Sequence, residues 1–402
     1  MAKRANGEGT VYQRKDGRWS AQVPVLRADG RPGRKTLYGN TRREVLALAR
    51  KVERRLDAGL QVSTSRAPTL AAYGEQWIAG LSDAVTLGRL ARATEDSYSD
   101  LWRRHIAPDL GALRLDQLQP GQINRWLAQK SQQQSSRGRP LSPRTLNYAH
   151  AVLRIALTEA VRNRLIDTNP ASLVRPPRPG RSPATAMTAD EVALVLAASQ
   201  GHPLRALWVV LLGQGLRLGE ALALRWDDLD PDVGTLRIER SVGRVRGEVD
   251  PRTGLHRTEI VVKRPKTAAS VATMPVADYV LAALRHHRTV QTERRLAAIG
   301  WIDNGLIFAT DSGGYLDQSN VRQRWKATCR TAGIERNIRL HDLRHSNATF
   351  LLAQGVPMRV VMDMLRHTRM ATTSDLYNHV GEQVKRDAAV AMDGVFNGMA
   401  NG

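Results

Sequence analysis

Two histidines, an arginine and a tyrosine near the C-terminal end of the chain have the types and spacing that phosphodiester chemistry needs. His341, Arg344, His367 and Tyr377 fall within 37 residues, and the first two are three apart, so on a helix they share one face. Guanidinium and imidazolium donors match phosphate oxygens, and a side-chain hydroxyl can attack phosphorus to form a covalent intermediate. A tyrosine is a weak nucleophile with a pKa of about 10, which nearby cations would lower.

Two predicted helices place these residues. The apolar spacing predicts a first helix that begins near Leu340 and ends at the helix-breaking residues Gly355 and Pro357. A second short helix, with apolar positions between 360 and 365, then leads to His367.

A glycine-rich segment further upstream, Gly213-Gln-Gly-Leu-Arg217-Leu-Gly-Glu220, follows a predicted apolar helix. It is a weak nucleotide-phosphate motif because no Walker lysine follows it and no strand precedes it. Glycines on both sides of an arginine at a helix end instead predict a bend that projects Arg217 into a cleft. A surface ion pair between Arg217 and Glu220 is the alternative.

Strands are predicted over 235–242, 258–262, 271–274 and 306–309. Lys266 lies in the segment Arg-Pro-Lys-Thr-Ala-Ala-Ser, a predicted turn between the second and third of these strands. A lysine on such a turn can reach a leaving oxygen that is bound in a groove. Lys263 is the nearest alternative, and an exposed lysine would ordinarily only face solvent.

The ordered set resembles the catalytic signature of the tyrosine recombinases, the phage integrase family, over residues 184–380. The resemblance implies six catalytic residues: Arg217, Lys266, His341, Arg344, His367 and Tyr377. In these roles Tyr377 forms a 3′-phosphotyrosine, Lys266 is the general acid for the 5′-hydroxyl, and His341 is a base or hydrogen-bond donor. Arg217, Arg344 and His367 would stabilise the pentavalent state. Glu220 would orient the arginines, and no metal or nucleotide cofactor is required because the phosphotyrosine conserves the bond energy.

One residue departs from the family pattern. The family usually has Leu-Gly-His before the second histidine, and this chain has Leu365-Arg366-His367. Arg366 is therefore expected to take a conformation compatible with a side chain, and its charge adds to the local field. His367 stays in register.

Composition indicates a basic globular protein of two or three domains. The 402 residues include 60 Lys and Arg against 38 Asp and Glu, a formal charge of +22. Such a surplus favours a polyanionic partner, usually nucleic acid, although a merely soluble basic protein is the alternative. One cysteine excludes an internal disulfide, and no apolar run is long enough to span a membrane. The N-terminal segment has no apolar core and is not a signal peptide. The single cysteine is consistent with a reducing cytosol, and together with the resemblance this gives an expected location in the bacterial cytoplasm, in association with the nucleoid.

The first 65 residues predict a three-stranded sheet followed by one helix. Residues 1–66 contain 16 Lys and Arg and 6 Asp and Glu. Such a sheet could enter a major groove, and it resembles the arm-site DNA-binding domain of integrases, with a solvated basic face as the alternative. The predicted contacts in this domain are Arg14, Lys15, Arg18, Arg34 and Lys35.

Residues 66–178 predict four helices, which the resemblance assigns to a core-site DNA-binding domain. A loop is predicted from Gln129 to Arg139, and a Pro-rich linker follows at 175–183. Predicted phosphate contacts in this domain, each equally explained by a solvated surface, are Lys130, Arg137, Arg139 and Arg144. The whole chain is thus predicted to be a multidomain α+β protein, with a mainly helical catalytic domain and a small antiparallel sheet over 179–402.

The predicted function is a site-specific recombinase that integrates or excises a mobile element. Its expected partners are double-stranded DNA with core and arm sites, three further copies of this chain in a homotetramer, and an accessory DNA-bending or excision factor. The alternatives are a type IB topoisomerase, a non-catalytic DNA-binding regulator of the same fold, and a chromosome-resolving recombinase. The basic first 65 residues count against the first and the third. A metal site on His341 and His345 lacks a third ligand.

Overall fold

The computed structural model divides the chain into two compact units, residues 1–181 and 182–402. The residues that it describes are 10–26, 32–57, 67–133, 138, 140–178, 180, 186–254, 256–263 and 271–366. Of the predicted site residues, five lie outside this set: Arg137, Arg139, Lys266, His367 and Tyr377. None of the described helices is long and apolar enough to cross a membrane.

The first unit begins with the predicted sheet and helix. Its elements are β1 (Thr10–Gln13), β2 (Trp19–Leu26), β3 (Pro32–Gly39) and α1 (Arg42–Asp57). The strands are antiparallel in the order β1-β2-β3. Alternate residues Ala21, Val23 and Val25 of β2 are buried and form a small core with Val45 and Ala49 of α1. The prediction of three strands and one helix is confirmed.

A helical bundle forms the rest of the first unit. Its helices are α2 (Leu70–Thr86), α3 (Arg92–Leu101), α4 (Ala107–Leu110), α5 (Pro120–Gln132) and α6 (Pro143–Arg162), with a π-helical turn at Trp102–Ile106. Ser142 caps α6, as its position before Pro143 predicts, by accepting a hydrogen bond from the Thr145 N–H. The fully buried Trp102 packs against Gly74, where a Cβ would lie 2.0 Å from the indole. The predicted loop begins later than expected, because α5 continues to Gln132.

The second unit combines seven α-helices and a 3-10 turn at Trp226–Asp228 among its described residues with two small antiparallel sheets. The helices are α7 (Ala189–Ala198), α8 (Arg205–Gln214), α9 (Leu218–Ala221), α10 (Asp278–Ala297), α11 (Gln318–Thr331), α12 (Leu340–Ala353) and α13 (Met358–Leu365). The strands are β4 (Leu229–Asp230), β5 (Thr235–Ile238), β6 (Ser241–Val249), β7 (His256–Lys263) and β8 (Ala272–Pro275). The sheets have the orders β4-β5-β8 and β6-β7. The expectation of a mainly helical region with a small antiparallel sheet is confirmed.

Two strand predictions in this unit were wrong in detail. The strand predicted over 235–242 is two strands that belong to different sheets. The ladder between β5 and β8 ends at Ile238, and Arg240, which lies between the two strands, donates to the buried carboxylate of Asp228 at 2.6 Å. The strand predicted at 306–309 forms only isolated bridges, between Arg225 and Leu306 and between Ala309 and Tyr315.

Helix α8 lies at the centre of the second core. Six consecutive residues, from Ala206 to Leu211, are buried, so this helix is covered on all sides. Trp208 contacts Trp325 of α11 edge to face, with 5.2 Å between ring centroids. The enclosed α8 is a fixed support for the segment that follows it.

Candidate active site

The C-terminal end of α8 makes the bend that its glycines predict. Gly215 follows α8 with φ +58°, a left-handed conformation, and Arg217 then takes an extended conformation before α9. A Cβ on Gly215 would lie 2.5 Å from Leu365 Cδ2 and 2.8 Å from Asn347 Oδ1. Position 215 therefore requires glycine both for its backbone angle and for the close approach of α12 and α13.

Arg217 is held by a buried acid. Its Nη1 donates to Glu220 Oε1 at 2.7 Å, and its backbone N–H donates to Glu220 Oε2 at 2.9 Å. The side chain of Glu220 is 5% exposed, whereas that of Arg217 is 42% exposed. The pair is thus anchored at its acidic end and open at its basic end, which rules out a simple surface ion pair.

Helix α12 brings Arg344 to the bend at the end of α8. Arg344 is 1% exposed, and its Nη1 donates to the carbonyl of Gly215 at 2.6 Å while its Nη2 donates to the carbonyl of Leu365. Asn347, one turn further, donates to the carbonyls of Leu212 at 2.8 Å and Gly213 at 3.0 Å. These side chains satisfy carbonyl groups at the end of α8 that have no helical partner, and a cation there also complements the helix dipole.

Burial lowers the pKa of two residues of α12, Arg344 and His341. Desolvation, with the charge of Arg217 second, lowers the pKa of Arg344 to about 9, so the guanidinium stays charged at neutral pH. His341 is solvent-exposed on one side and contacts His345 on the other, with 4.8 Å between ring centroids. Desolvation, followed by the charges of His345 and Arg344, lowers the pKa of His341 below its ordinary 6.5. A neutral imidazole at pH 7 can accept a proton.

Arg366 does not take the conformation expected of a residue with a side chain. It follows α13 with φ +55°, the left-handed conformation typical of glycine, and its side chain is 2% exposed. Its Nη2 donates to Glu220 Oε2 at 2.5 Å. Burial raises the pKa of the Glu220 carboxyl, but Arg366 and the Arg217 donors outweigh it, so the pKa lies below the ordinary 4.5.

A basic cleft opens beside this cluster. A cavity of about 520 Å³ is lined by Arg217 and His341, and also by three cationic side chains that the sequence analysis missed: Arg322, Lys326 and Arg339. Arg322 and Lys326 are four residues apart on α11, a helical spacing that could have revealed a shared basic face. A larger cavity of about 830 Å³, lined mostly by α2 and α6, contains none of the predicted catalytic residues.

The structure therefore brings together Arg217, Glu220 and Arg344, with His341 on the wall of the adjoining cleft. Lys266, His367 and Tyr377 lie outside the described residues, so their places in the site stay predictions.

The burial of Lys130 corrects one predicted DNA contact. Lys130 is 5% exposed, and its Nζ bonds to Asp109 Oδ2 and to Gln133 Oε1, both at 2.8 Å. A lysine with its ammonium enclosed in this way stabilises α5 rather than contacting a phosphate. Arg144 is exposed in the first turn of α6, where it can reach a phosphate.

The predicted contacts in the N-terminal sheet divide between its two faces. Lys35 pairs with the buried Val23, so it lies on the face that α1 covers, whereas Arg34 is exposed on the opposite face. Near the β1–β2 turn, Arg14 and Arg18 both pair with Asp16. Lys15 is exposed in the same turn.

Sequence and structure comparisons give a consistent result. The profile of the phage integrase family matches residues 185–383. An integrase from Streptomyces ambofaciens is 30% identical over 414 residues, which cover 98% of this chain and 98% of the relative. The Tn1549 transposon integrase in complex with transposon right-end DNA has a TM-score of 0.62 at 20% identity, covering 80% of this chain and 99% of that one. A lambda integrase tetramer bound to a Holliday junction has a TM-score of 0.56 at 17% identity, covering 93% and 96% respectively.

Proposed function

Because the chain belongs to the phage integrase family of tyrosine recombinases, we propose that it integrates and excises a mobile DNA element through a 3′-phosphotyrosine on Tyr377. The protein is a site-specific DNA recombinase. The similarity to an integrase over 98% of both chains supports the role in mobile-element integration.

The observation that carries the proposal is the meeting of two distant arginines beside a basic cleft. Arg217 is fixed by the buried Glu220, and Arg344 is fixed by the carbonyls at the ends of α8 and α13. Both guanidinium groups thus have orientations that are set before any substrate binds. Arg217, whose side chain is 42% exposed, is a preorganised donor of the kind that stabilises the charge that develops in a transition state, and the loss of such a donor costs about 3–4 kcal/mol. Arg344 is 1% exposed and donates to two backbone carbonyls, so before substrate binds it fixes the bend that carries Arg217.

The proposed reaction uses these groups in sequence. The phenolic oxygen of Tyr377 bonds to the scissile phosphorus, and the bond from phosphorus to the 5′-oxygen breaks. Arg217, Arg344 and His367 stabilise the pentavalent state, and Lys266 protonates the departing oxygen. His341, neutral at pH 7, accepts the phenolic proton or donates a hydrogen bond. The phosphotyrosine conserves the energy of the broken bond, so rejoining needs no nucleotide.

The remaining regions are proposed to bind DNA. Residues 1–65 would bind arm sites through the exposed sheet face with Tyr12, Tyr38 and Arg34, and residues 66–178 would bind the core site. Residues 179–402 form the catalytic domain. The lambda tetramer on a Holliday junction supports four protomers on two duplexes during strand exchange. An accessory DNA-bending or excision factor and a place on the bacterial nucleoid complete the proposal.

A suicide substrate tests the reaction. A nicked duplex that carries the element's crossover site, mapped from the junctions of the integrated element, is incubated with the protein in a chelator. The wild type should form a covalent complex, whereas Tyr377→Phe should form none. Tyr279→Phe is the matched control because Tyr279 is an exposed tyrosine on α10.

The same preparation separates the alternatives. Relaxation of a supercoiled plasmid that lacks the crossover site, at the rate seen with the site, would indicate a topoisomerase. Tight, salt-sensitive binding to the duplex without any covalent complex would indicate a non-catalytic DNA-binding protein.

A further inference from the structure

Arg366 occupies a position that is unfavourable for an arginine in two respects. Its φ of +55° is a conformation that side chains adopt only at a steric cost, which glycine lacks. Its guanidinium is also buried, with 2% of the side chain exposed, so it has lost its hydration. A residue kept in such a state calls for a compensating interaction, and such residues cluster at functional sites.

The compensating interaction leads directly to the active-site arginine. Arg366 Nη2 donates to Glu220 Oε2 at 2.5 Å, the same oxygen that accepts the backbone N–H of Arg217 at 2.9 Å. The other carboxylate oxygen, Oε1, accepts from Arg217 Nη1 at 2.7 Å. Glu220 is thus clamped between two guanidinium groups, one buried and one half-exposed at the cleft.

The clamp has two consequences for Arg217. Glu220 cannot rotate without breaking the buried bond to Arg366, so its Oε1 stays in place for Arg217 Nη1. The carboxylate also shares its negative charge between two cations, so Arg217 is less neutralised than it would be in a simple pair. Both effects favour an Arg217 guanidinium that is oriented and available to an anion.

We propose that Arg366 is a positioning residue of the recombination reaction, which acts through Glu220 to orient Arg217 toward the scissile phosphate. The inference rests on the proposed function. It assigns to Arg366 a task that a glycine at this position could not perform, and it ties the end of α13 to the segment that carries Arg217.

Two substitutions and a matched control test this role. Arg366→Gly removes the guanidinium and also relieves the backbone, so a loss of activity would not follow from strain. Arg366→Lys retains a cation that can reach Glu220. The control is Arg164→Gly. Among the described residues, Arg164 is the other non-glycine residue with positive φ (φ +57°), and it is exposed just after α6.

The readouts are the single-turnover rate of covalent-complex formation on the nicked crossover duplex and the dissociation constant for that duplex. Misplacing a reacting group lowers rates by up to about 100-fold, so Arg366→Gly should react roughly 10- to 100-fold more slowly at an almost unchanged dissociation constant. Arg366→Lys should recover part of the rate, and Arg164→Gly should match the wild-type single-turnover rate at saturating duplex, since a lost phosphate contact in residues 66–178 would change only the dissociation constant. Combined with Arg217→Ala, Arg366→Gly should cause no further loss, because its effect passes through Arg217.

Three outcomes would overturn the inference. The first is a wild-type single-turnover rate for Arg366→Gly. The second is a rate for the double variant that falls by the product of the two single losses. The third is a wild-type rate with a weakened dissociation constant. If Arg366→Gly does not fold, Arg366→Lys with and without Arg217→Ala makes the same comparison. The absence of a covalent complex with the wild type would instead refute the proposed function.

Discussion

Gly215→Ala separates the two reasons for a glycine at the end of α8. An alanine at φ +58° costs about 1–2 kcal/mol for the left-handed backbone. Its Cβ would also lie 2.5 Å from Leu365 Cδ2 and 2.8 Å from Asn347 Oδ1, and overpacking of this kind costs about 1–3 kcal/mol more. The expected loss of stability around α8 is therefore about 2–5 kcal/mol.

Gly201→Ala is the matched control in the same unit. Gly201 has φ +69°, but a Cβ there would meet no atom within 4 Å, so only the backbone cost of about 1–2 kcal/mol applies. Amide hydrogen exchange over Arg205–Gln214 measures the opening free energy of α8 in both variants. The difference between the variants isolates the contact of Gly215 with α12 and α13.

Gly215→Ala should also slow DNA cleavage. A shift of Leu365 or of the Gly215 carbonyl moves the two acceptors that fix Arg344. Gly215→Ala should thus form the covalent complex more slowly than Gly201→Ala. Equal exchange rates and equal cleavage rates in the two variants would refute the packing argument and the orientation of Arg344 that rests on it.

Three further predictions concern surface charge and pH. Arg144→Gln should make the negative slope of log K against log salt less steep by about 0.9. Lys130→Met should leave that slope unchanged and lower the melting temperature of the helical bundle, because the ammonium of Lys130 is buried. Arg34→Gln should weaken binding to an arm-site duplex more than Lys35→Gln, since only Arg34 lies on the open face of the sheet; equal losses in a titration would contradict the register argument. Desolvation and neighbouring cations lower the pKa of His341 below 6.5, so the unfolded chain takes up a proton that the folded chain does not, and the melting temperature should fall as the pH drops below 6.5. His341→Gln should make that fall smaller in a calorimetric pH series.

Local sequence patterns predicted most elements because their determinants are local. The cap at Ser142 and the helix end at Gly355 act over four residues or fewer, and each is present. The bend before Arg217 was likewise readable, since glycines on both sides of an arginine indicate a helix end.

Features that depend on distant contacts were not predictable in the same way. The strand over 235–242 divides where Arg240 meets Asp228, and Lys130 is buried because Asp109 lies opposite α5. The buried guanidinium of Arg366 has its carboxylate partner in Glu220, which is 146 residues away. Partners at such separations are set by packing, and one sequence does not reveal them.

The central claim is that Tyr377 carries the covalent bond to DNA. Covalent complexes formed on the nicked crossover duplex are digested with nuclease and trypsin, and the modified peptide is identified by mass spectrometry. The account predicts a 3′-linked nucleotide on the peptide of residues 370–385, in which Tyr377 is the one tyrosine. A nucleotide on any other peptide, or a 5′ linkage, would contradict it.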